Sequence, residues 1–286
     1  MADSRPSAIV SFVRAHLLHF AYALVALVLF GWFLIASLPY TDVVSQAIGS
    51  SGLVLSSRSQ HSVFPFGVEM NDVSLTDGAH PERPPLLQTE RMSLRPTFLA
   101  MLTGSPAVTV RANLYGGVLN ALVKREQGEI MVDFNAEGLH LDRYPGLRDN
   151  GITLNGIASA SGTAFISPVG LTADNGTIHV IASDASVAAP LVSLLKFGAV
   201  ESTINLDHGK VNLTELTSNG ADVTLSANGA IELKPIVEDS IVGVKFELQL
   251  SDDAKNRLGF LTNFLPHPPG TAPYFISGTF RAPRLS

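Results

Sequence analysis

Past Gly52 the chain keeps a period of two. Val108, Val110, Ala112 and Leu114 alternate with Thr109, Arg111, Asn113 and Tyr115, and Ile130, Val132, Phe134 and Ala136 alternate with Met131, Asp133, Asn135 and Glu137. The sharpest instance sets Val244, Phe246, Leu248 and Leu250 against Lys245, Glu247 and Gln249. Successive strand side chains point to opposite faces, so these segments are strands with one apolar and one polar face, as in antiparallel sheets. Asn-Gly pairs at Asn150-Gly151, Asn155-Gly156, Asn175-Gly176, Asn219-Gly220 and Asn228-Gly229 punctuate the pattern and predict frequent chain reversals.

The turns predict registers, because a one-residue slip would move every apolar side chain to the wrong face. A two-residue loop at His208-Gly209 opposes Asp207 to Lys210, Leu206 to Val211 and Ile204 to Leu213. A loop at Gln127-Gly128 opposes Val123 to Val132 and Ala121 to Phe134. In "SNGADVTLSANGAIELKP", Ser218 to Pro235, a three-residue loop over Asn228, Gly229 and Ala230 would set Leu225 against Leu233. The phase breaks between Leu213 and Leu216, which predicts a bulge near Glu215.

Helical patterns are few. "APLVSLLKF", Ala189 to Phe197, and "SDDAKNRLGFLTNF", Ser251 to Phe264, are the best, the second with Ser251 as N-cap, acidic residues in its first turn and Pro266 beyond its end. A short helix from Thr41 or Asp42 to Gly49 is also expected, while "HPERPP" (His80 to Pro85) and "RYPGLRDNG" (Arg143 to Gly151) read as loops. One elongated β domain is expected, with a division near Gly151 as the other option. Burying a Val, Leu, Ile or Phe side chain is worth about 1.5–3 kcal/mol, so the apolar face has to be covered. Two helices are too few to do it, so the sheet must curl or fold on itself, or be lined by acyl chains or a partner protein. A sandwich filled by its own side chains and an open groove both satisfy the pattern.

The N-terminal region departs from this period. From Ala15 to Thr41 there is no Asp, Glu, Lys or Arg, and Phe20 to Leu38 is apolar but for the Tyr22 hydroxyl and Ser37. About 20 helical residues match a hydrocarbon core of about 30 Å. Tyr22 and Tyr40 fit the interfacial aromatic belts, and Trp32 lies within the span. A cleavable signal peptide is the alternative, but the run is longer than such segments and "IASLP" is a poor cleavage site. Arg5 and Arg14 before the span and Asp42 after it orient the tail to the cytoplasm. The expected organisation is a cytoplasmic tail at 1–16, a transmembrane signal anchor at 17–38 and a translocated β-rich domain at 39–286.

Composition removes several functions. With 19 Lys plus Arg against 25 Asp plus Glu and a net charge of −6, there is no basic surface for nucleic acid. The chain has no Cys, which excludes thiolate catalysis, disulfides and Cys-bound zinc. There is no G-x-S-x-G elbow, phosphate-binding loop, H-E-x-x-H or EF-hand series; "HGKV" lacks the upstream glycine spacing. His61, His80, His140, His179, His208 and His267 are scattered, mostly beside turns, and read as surface residues. "SDD" at Ser251 to Asp253 reads as a helix start, and Asn175-Gly-Thr177 and Asn212-Leu-Thr214 as chance glycosylation patterns. A triad assembled from distant residues stays open on sequence alone; the expectation is no catalytic residue, no cofactor and no metal.

The order of features resembles a known family. One anchor is followed by "LPYTDVV", a glycine-containing "VFPFGVEMNDVSL", "LDRYPGLRDNGITLNGIASASG", and then "INLDHGKVNLTELTSNGADVTLSANGAIELKP" before "SIVGVKFELQLSDDAK". This is similar to the N component of bacterial type II secretion systems, in the form shared with AsmA-like envelope proteins. Most of the likeness lies in Gly209 to Pro235, and the single exported domain is shorter than in the larger AsmA-like proteins. The resemblance implies a curled β groove in a non-enzymatic, single-pass inner-membrane protein of a Gram-negative bacterium. Its periplasmic domain would touch other secretion subunits during export of folded proteins across the outer membrane. The alternative it raises is binding or transfer of phospholipid between membranes, or a part in outer-membrane biogenesis.

Overall fold

The computed structural model describes residues 53–63, 67–78, 85, 87–97, 107–126, 128–144, 151–167, 173–189, 192–234, 239–259, 262 and 265–286. The tail, the expected anchor at 17–38, the helix over 41–49 and most of the two loops lie outside these residues. Among the described residues no helix is long and apolar enough to cross a membrane.

The alternating pattern builds one long, curled, antiparallel sheet of 15 strands. They are β1 (Leu53–Ser56), β2 (Ser59–Val63), β3 (Gly67–Asp77), β4 (Leu87–Pro96), β5 (Ala107–Leu114), β6 (Gly117–Glu126), β7 (Glu129–His140), β8 (Thr153–Ile166), β9 (Ala173–Ala189), β10 (Val192–Asp207), β11 (Lys210–Asn219), β12 (Val223–Glu232), β13 (Ile241–Leu250), β14 (Tyr274–Thr279) and β15 (Pro283–Leu285). From β3 onward each strand pairs with its sequence neighbour, while β1 and β2 both pair with β3. β7 and β8 pair from Ile130↔Ile166 to His140↔Ile157, so the sheet continues across the Gly151 loop. Both edges are short strands, and Pro283 in β15 has no N–H to offer a further strand.

Several predicted registers are present. Asp207↔Lys210, Leu206↔Val211 and Ile204↔Leu213 pair across the His208-Gly209 turn, where both turn residues have positive φ. Val123↔Val132 and Ala121↔Phe134 pair across Gln127-Gly128. The register shifts between Thr203 and Ile204 on β10 and between Leu213 and Leu216 on β11, placing the bulge at Thr214 and Glu215.

Two expectations are corrected. The stretch from Ala189 to Phe197 is no helix: β9 runs to Ala189, and Val192 to Phe197 open β10. Leu195 pairs with Val187 there, so cross-strand pairing overrides a local pattern that suits either structure. Asn228, Gly229 and Ala230 form no loop but lie inside β12, opposite Lys245, Val244 and Gly243; Leu225 pairs with Leu248 and Ser218 rather than with Leu233. Gly156 and Gly176 are likewise inside strands. The reason is close backbone approach: a Cβ on Gly229 would lie 2.3 Å from the Gly243 carbonyl oxygen, and one on Gly176 would lie 2.6 Å from that of Thr163.

The helix after β13 is shorter than its pattern. α1 spans Asp252–Leu258 and stops at Gly259, whose φ is 48°. Its N-cap is as expected, since Ser251 Oγ accepts the Ala254 N–H at 3.2 Å. A carboxylate fixes α1 to the sheet: Asp222 accepts the Lys196 backbone N–H at 2.9 Å and pairs with Arg257 at 2.5 Å. Arg257 also donates to the Leu194 carbonyl and pairs with Asp253. The Arg257 guanidinium and the Lys196 N–H together hold the Asp222 carboxyl below its ordinary range. α1 thus sits over one end of the apolar face, with Ala254 buried beside Val223 and Leu250.

Candidate functional site

Cross-strand partners project to the same side of a sheet, so the registers can be read across it as rows. One row runs Val68, Leu94, Val110, Ala121, Phe134, Gly162, Ile178, Ile204, Leu213, Gly229, Val244, Ile276 and Leu285. It crosses from β3 to β15 without a polar residue. The next row runs Met70, Met92, Ala112, Leu119, Ala136, Ala160, Val180, Ser202, Leu216, Ala227, Phe246 and Tyr274. A row on the opposite face reads Arg95, Thr109, Leu122, Asp133, Thr163, Thr177, Asn205 and Asn212. The sheet is therefore mainly apolar on one side from β3 to β15, while the β2 edge places Ser62 and Gln60 there.

The apolar side is sheltered unevenly. Met70, Val73 and Tyr274 are fully buried, whereas Phe134, Ile178, Ile204, Leu213 and Val244 in the long row are only half-buried. Many of the buried residues are alanines, including Ala112, Ala136, Ala158, Ala164, Ala182 and Ala227. Small side chains on the inner side relieve crowding where a sheet curls, and they leave room above themselves. At one end the face is closed by α1 and by the segment from Leu265 to Pro273. There His267 stacks on Tyr274 with ring centroids 4.2 Å apart, and Tyr274 stacks on Phe246 at 5.1 Å. The Tyr274 hydroxyl donates to the His267 carbonyl at 2.7 Å, and burial raises its pKa. Ser202 and Ser218, also on this side, carry buried hydroxyls without a hydrogen-bond partner among the described residues.

The histidines are not brought together among the described residues. Among the described residues no group of three or more His, Asp or Glu could hold a metal ion. His61 pairs with Glu69 on the neighbouring strand at 3.5 Å, His179 bonds Thr203 at 3.2 Å, and His208 bonds Asp207 at 2.7 Å, which raises its pKa. His140 ends β7 and His267 belongs to the aromatic stack, so these side chains lie on separate elements; His80 is outside the described residues. Asn175 and Asn212 both lie in strands.

The alternation pointed to the apolar side, but its continuity over the sheet depends on registers that no single hairpin specifies. The Phe246, Tyr274 and His267 stack and the Asp222–Arg257 pair carried no local signal, since each joins residues far apart in the chain. No family model, curated protein or solved structure matches this chain.

Proposed function

We propose that this protein is a non-enzymatic component of a bacterial type II secretion system, anchored in the inner membrane by residues 17–38, with its β-rich domain in the periplasm. It assists export of folded proteins by offering a broad binding surface to other secretion subunits. The observation that carries this reading is the one-faced sheet itself, with an extended apolar side from β3 to β15. The stretch from Gly209 to Pro235 that resembles the secretion family supplies β11 and β12, adjacent strands in the part of this face nearer β15. Crosslinking of the full chain in native membranes, with identification of the attached proteins, tests it. Recovery of secretion subunits supports the proposal; recovery of none, with normal secretion in a deletion strain, ends it.

A second reading is favoured by one specific feature, the uninterrupted row from Val68 to Leu285. Such a row suits acyl chains lying across the strands, as in an AsmA-like protein that binds or passes phospholipid. Half-buried apolar side chains leave roughly 1 kcal/mol each to be gained on further burial. Phospholipid retained by the detergent-purified full chain, and lost in an Ile204→Asp, Leu213→Asp variant that still folds, would favour this role.

A further inference from the structure

A cavity of about 530 Å³ opens at the end of the sheet beside the β5–β6 turn, away from the apolar rows. It is lined by Asp72, Glu90, Asn113, Tyr115, Gly116 and Arg143, among others. Three features set it apart from an ordinary dent between strands.

The first is backbone strain. Asp72 and Tyr115 have φ of 49° and 50°, two of the four non-glycine residues with positive φ among those described. Tyr115 and Gly116 join Leu114 to Gly117 in a two-residue turn of which both residues have positive φ. Asn, Asp or Gly is usual at the first of these positions. A tyrosine there is costly and persists when its surroundings hold it. Its hydroxyl accepts the Gln88 N–H at 3.3 Å, its ring meets Tyr144 edge-on at 5.8 Å, and burial raises its pKa.

The second is charge. Asp72 and Glu90 both fall between the pairs Asn71↔Arg91 and Val73↔Thr89 of β3 and β4, at a break in the ladder, and both line the cavity. Arg58 pairs with Asp72 at 3.0 Å, but the Glu90 side chain has no ion-pair or hydrogen-bond partner among the described residues. The third is Arg143, whose guanidinium also lacks such a partner. It packs against Gly116 so closely that a Cβ there would lie 2.7 Å from its nitrogen. One cavity therefore holds an exposed carboxylate and an exposed guanidinium that no described protein group engages, with Asn113 and Tyr115 among its other lining residues.

We propose that this cavity binds a small dipolar ligand, an ammonium joined by a short linker to an oxyanion, with the ammonium at Asp72 and Glu90 and the oxyanion at Arg143. Phosphate suits the forked donors of a guanidinium well. The ligand can be a free solute or the headgroup of a lipid. The inference stands on the cavity alone and does not depend on either functional reading above.

O-phosphoethanolamine, titrated calorimetrically into the full chain in a non-ionic detergent, is the probe, with ethanolamine and inorganic phosphate as its halves. Saturable binding in the millimolar range or tighter is expected, each half binding at least tenfold more weakly. Glu90→Gln and Arg143→Gln, both at exposed side chains, should each weaken the whole probe about tenfold while leaving the circular dichroism spectrum unchanged. Competition by vesicles containing phosphatidylethanolamine, but not by phosphatidylglycerol vesicles, would assign the ligand to a lipid headgroup; no competition would assign it to a free solute. The proposal is overturned by absence of binding, by halves that bind as well as the whole, or by variants that bind as the parent does.

Discussion

Tyr274 is the point where the apolar face is closed, and its replacement measures that closure. The side chain is fully buried, lies between Phe246 and His267, and donates a hydrogen bond to the His267 carbonyl. Truncating a buried aromatic to alanine costs about 3–5 kcal/mol, and aromatic pairs add roughly 0.5–1.5 kcal/mol beyond area. The Leu265 to Pro273 segment stacks on and accepts a hydrogen bond from this residue, so Tyr274→Ala is expected to cost about 4 kcal/mol. Tyr274→Phe keeps the stack and loses only the hydrogen bond, worth about 1 kcal/mol. For a domain of this size 1 kcal/mol moves Tm by about 2–4 °C, so the two variants should fall by roughly 8–16 °C and 2–4 °C. Burial raises the Tyr274 pKa above its unfolded value, so the corresponding stability is complete below about pH 10 and lost as pH rises through the folded value. Tyr274→Phe should reduce that alkaline loss. Thermal unfolding of the full chain followed by circular dichroism provides the readings. The reasoning fails if Tyr274→Ala costs no more than Tyr274→Phe, or if the phenylalanine variant keeps the full alkaline loss.

Four further outcomes can be measured on the same protein. Gly229→Ala should destabilise by about 2 kcal/mol or more in urea titration, because its Cβ would meet backbone at 2.3 Å, while Gly243→Ala, with nothing nearer than 3.8 Å, should stay within about 1 kcal/mol of the parent. Ser218→Ala should raise stability by about 1 kcal/mol, since it removes a buried hydroxyl that has no partner. Ser251→Ala should cost about 1 kcal/mol through loss of the α1 cap, and Ser251→Gly only a few tenths. The Asp222 pKa is lowered in the folded state, so its contribution is present above the unfolded value of about 3.9 and lost as pH falls through the folded one. Amide exchange in α1 should therefore accelerate in that acid window, and Asp222→Asn should abolish the dependence.

Strand identity, the two-sided character of the sheet and several hairpins were legible because they are local. A period of two is written in adjacent residues, and a two-residue turn fixes the partners that follow it. The cap at Ser251 and the bulge near Glu215 were legible for the same reason. Asn-Gly pairs misled where the glycine answers a neighbouring backbone: Gly176 and Gly229 are required by strands whose approach no local window contains. The start of β10 misled because "LVSLLKF" suits a helix or a buried strand, and pairing with β9 decides between them.

The sequence by itself determined that the described part of this protein would be antiparallel β with an apolar side needing cover, because alternation and turn chemistry act within a few residues. Only the tertiary structure decided that this side forms one row from Val68 to Leu285, that it is closed at one end by α1 and the Tyr274 stack, and that Glu90 and Arg143 share a cavity. Each of those facts is a distance between residues far apart in the chain. Such distances are set by the sum of strand registers and by the curl of the whole sheet.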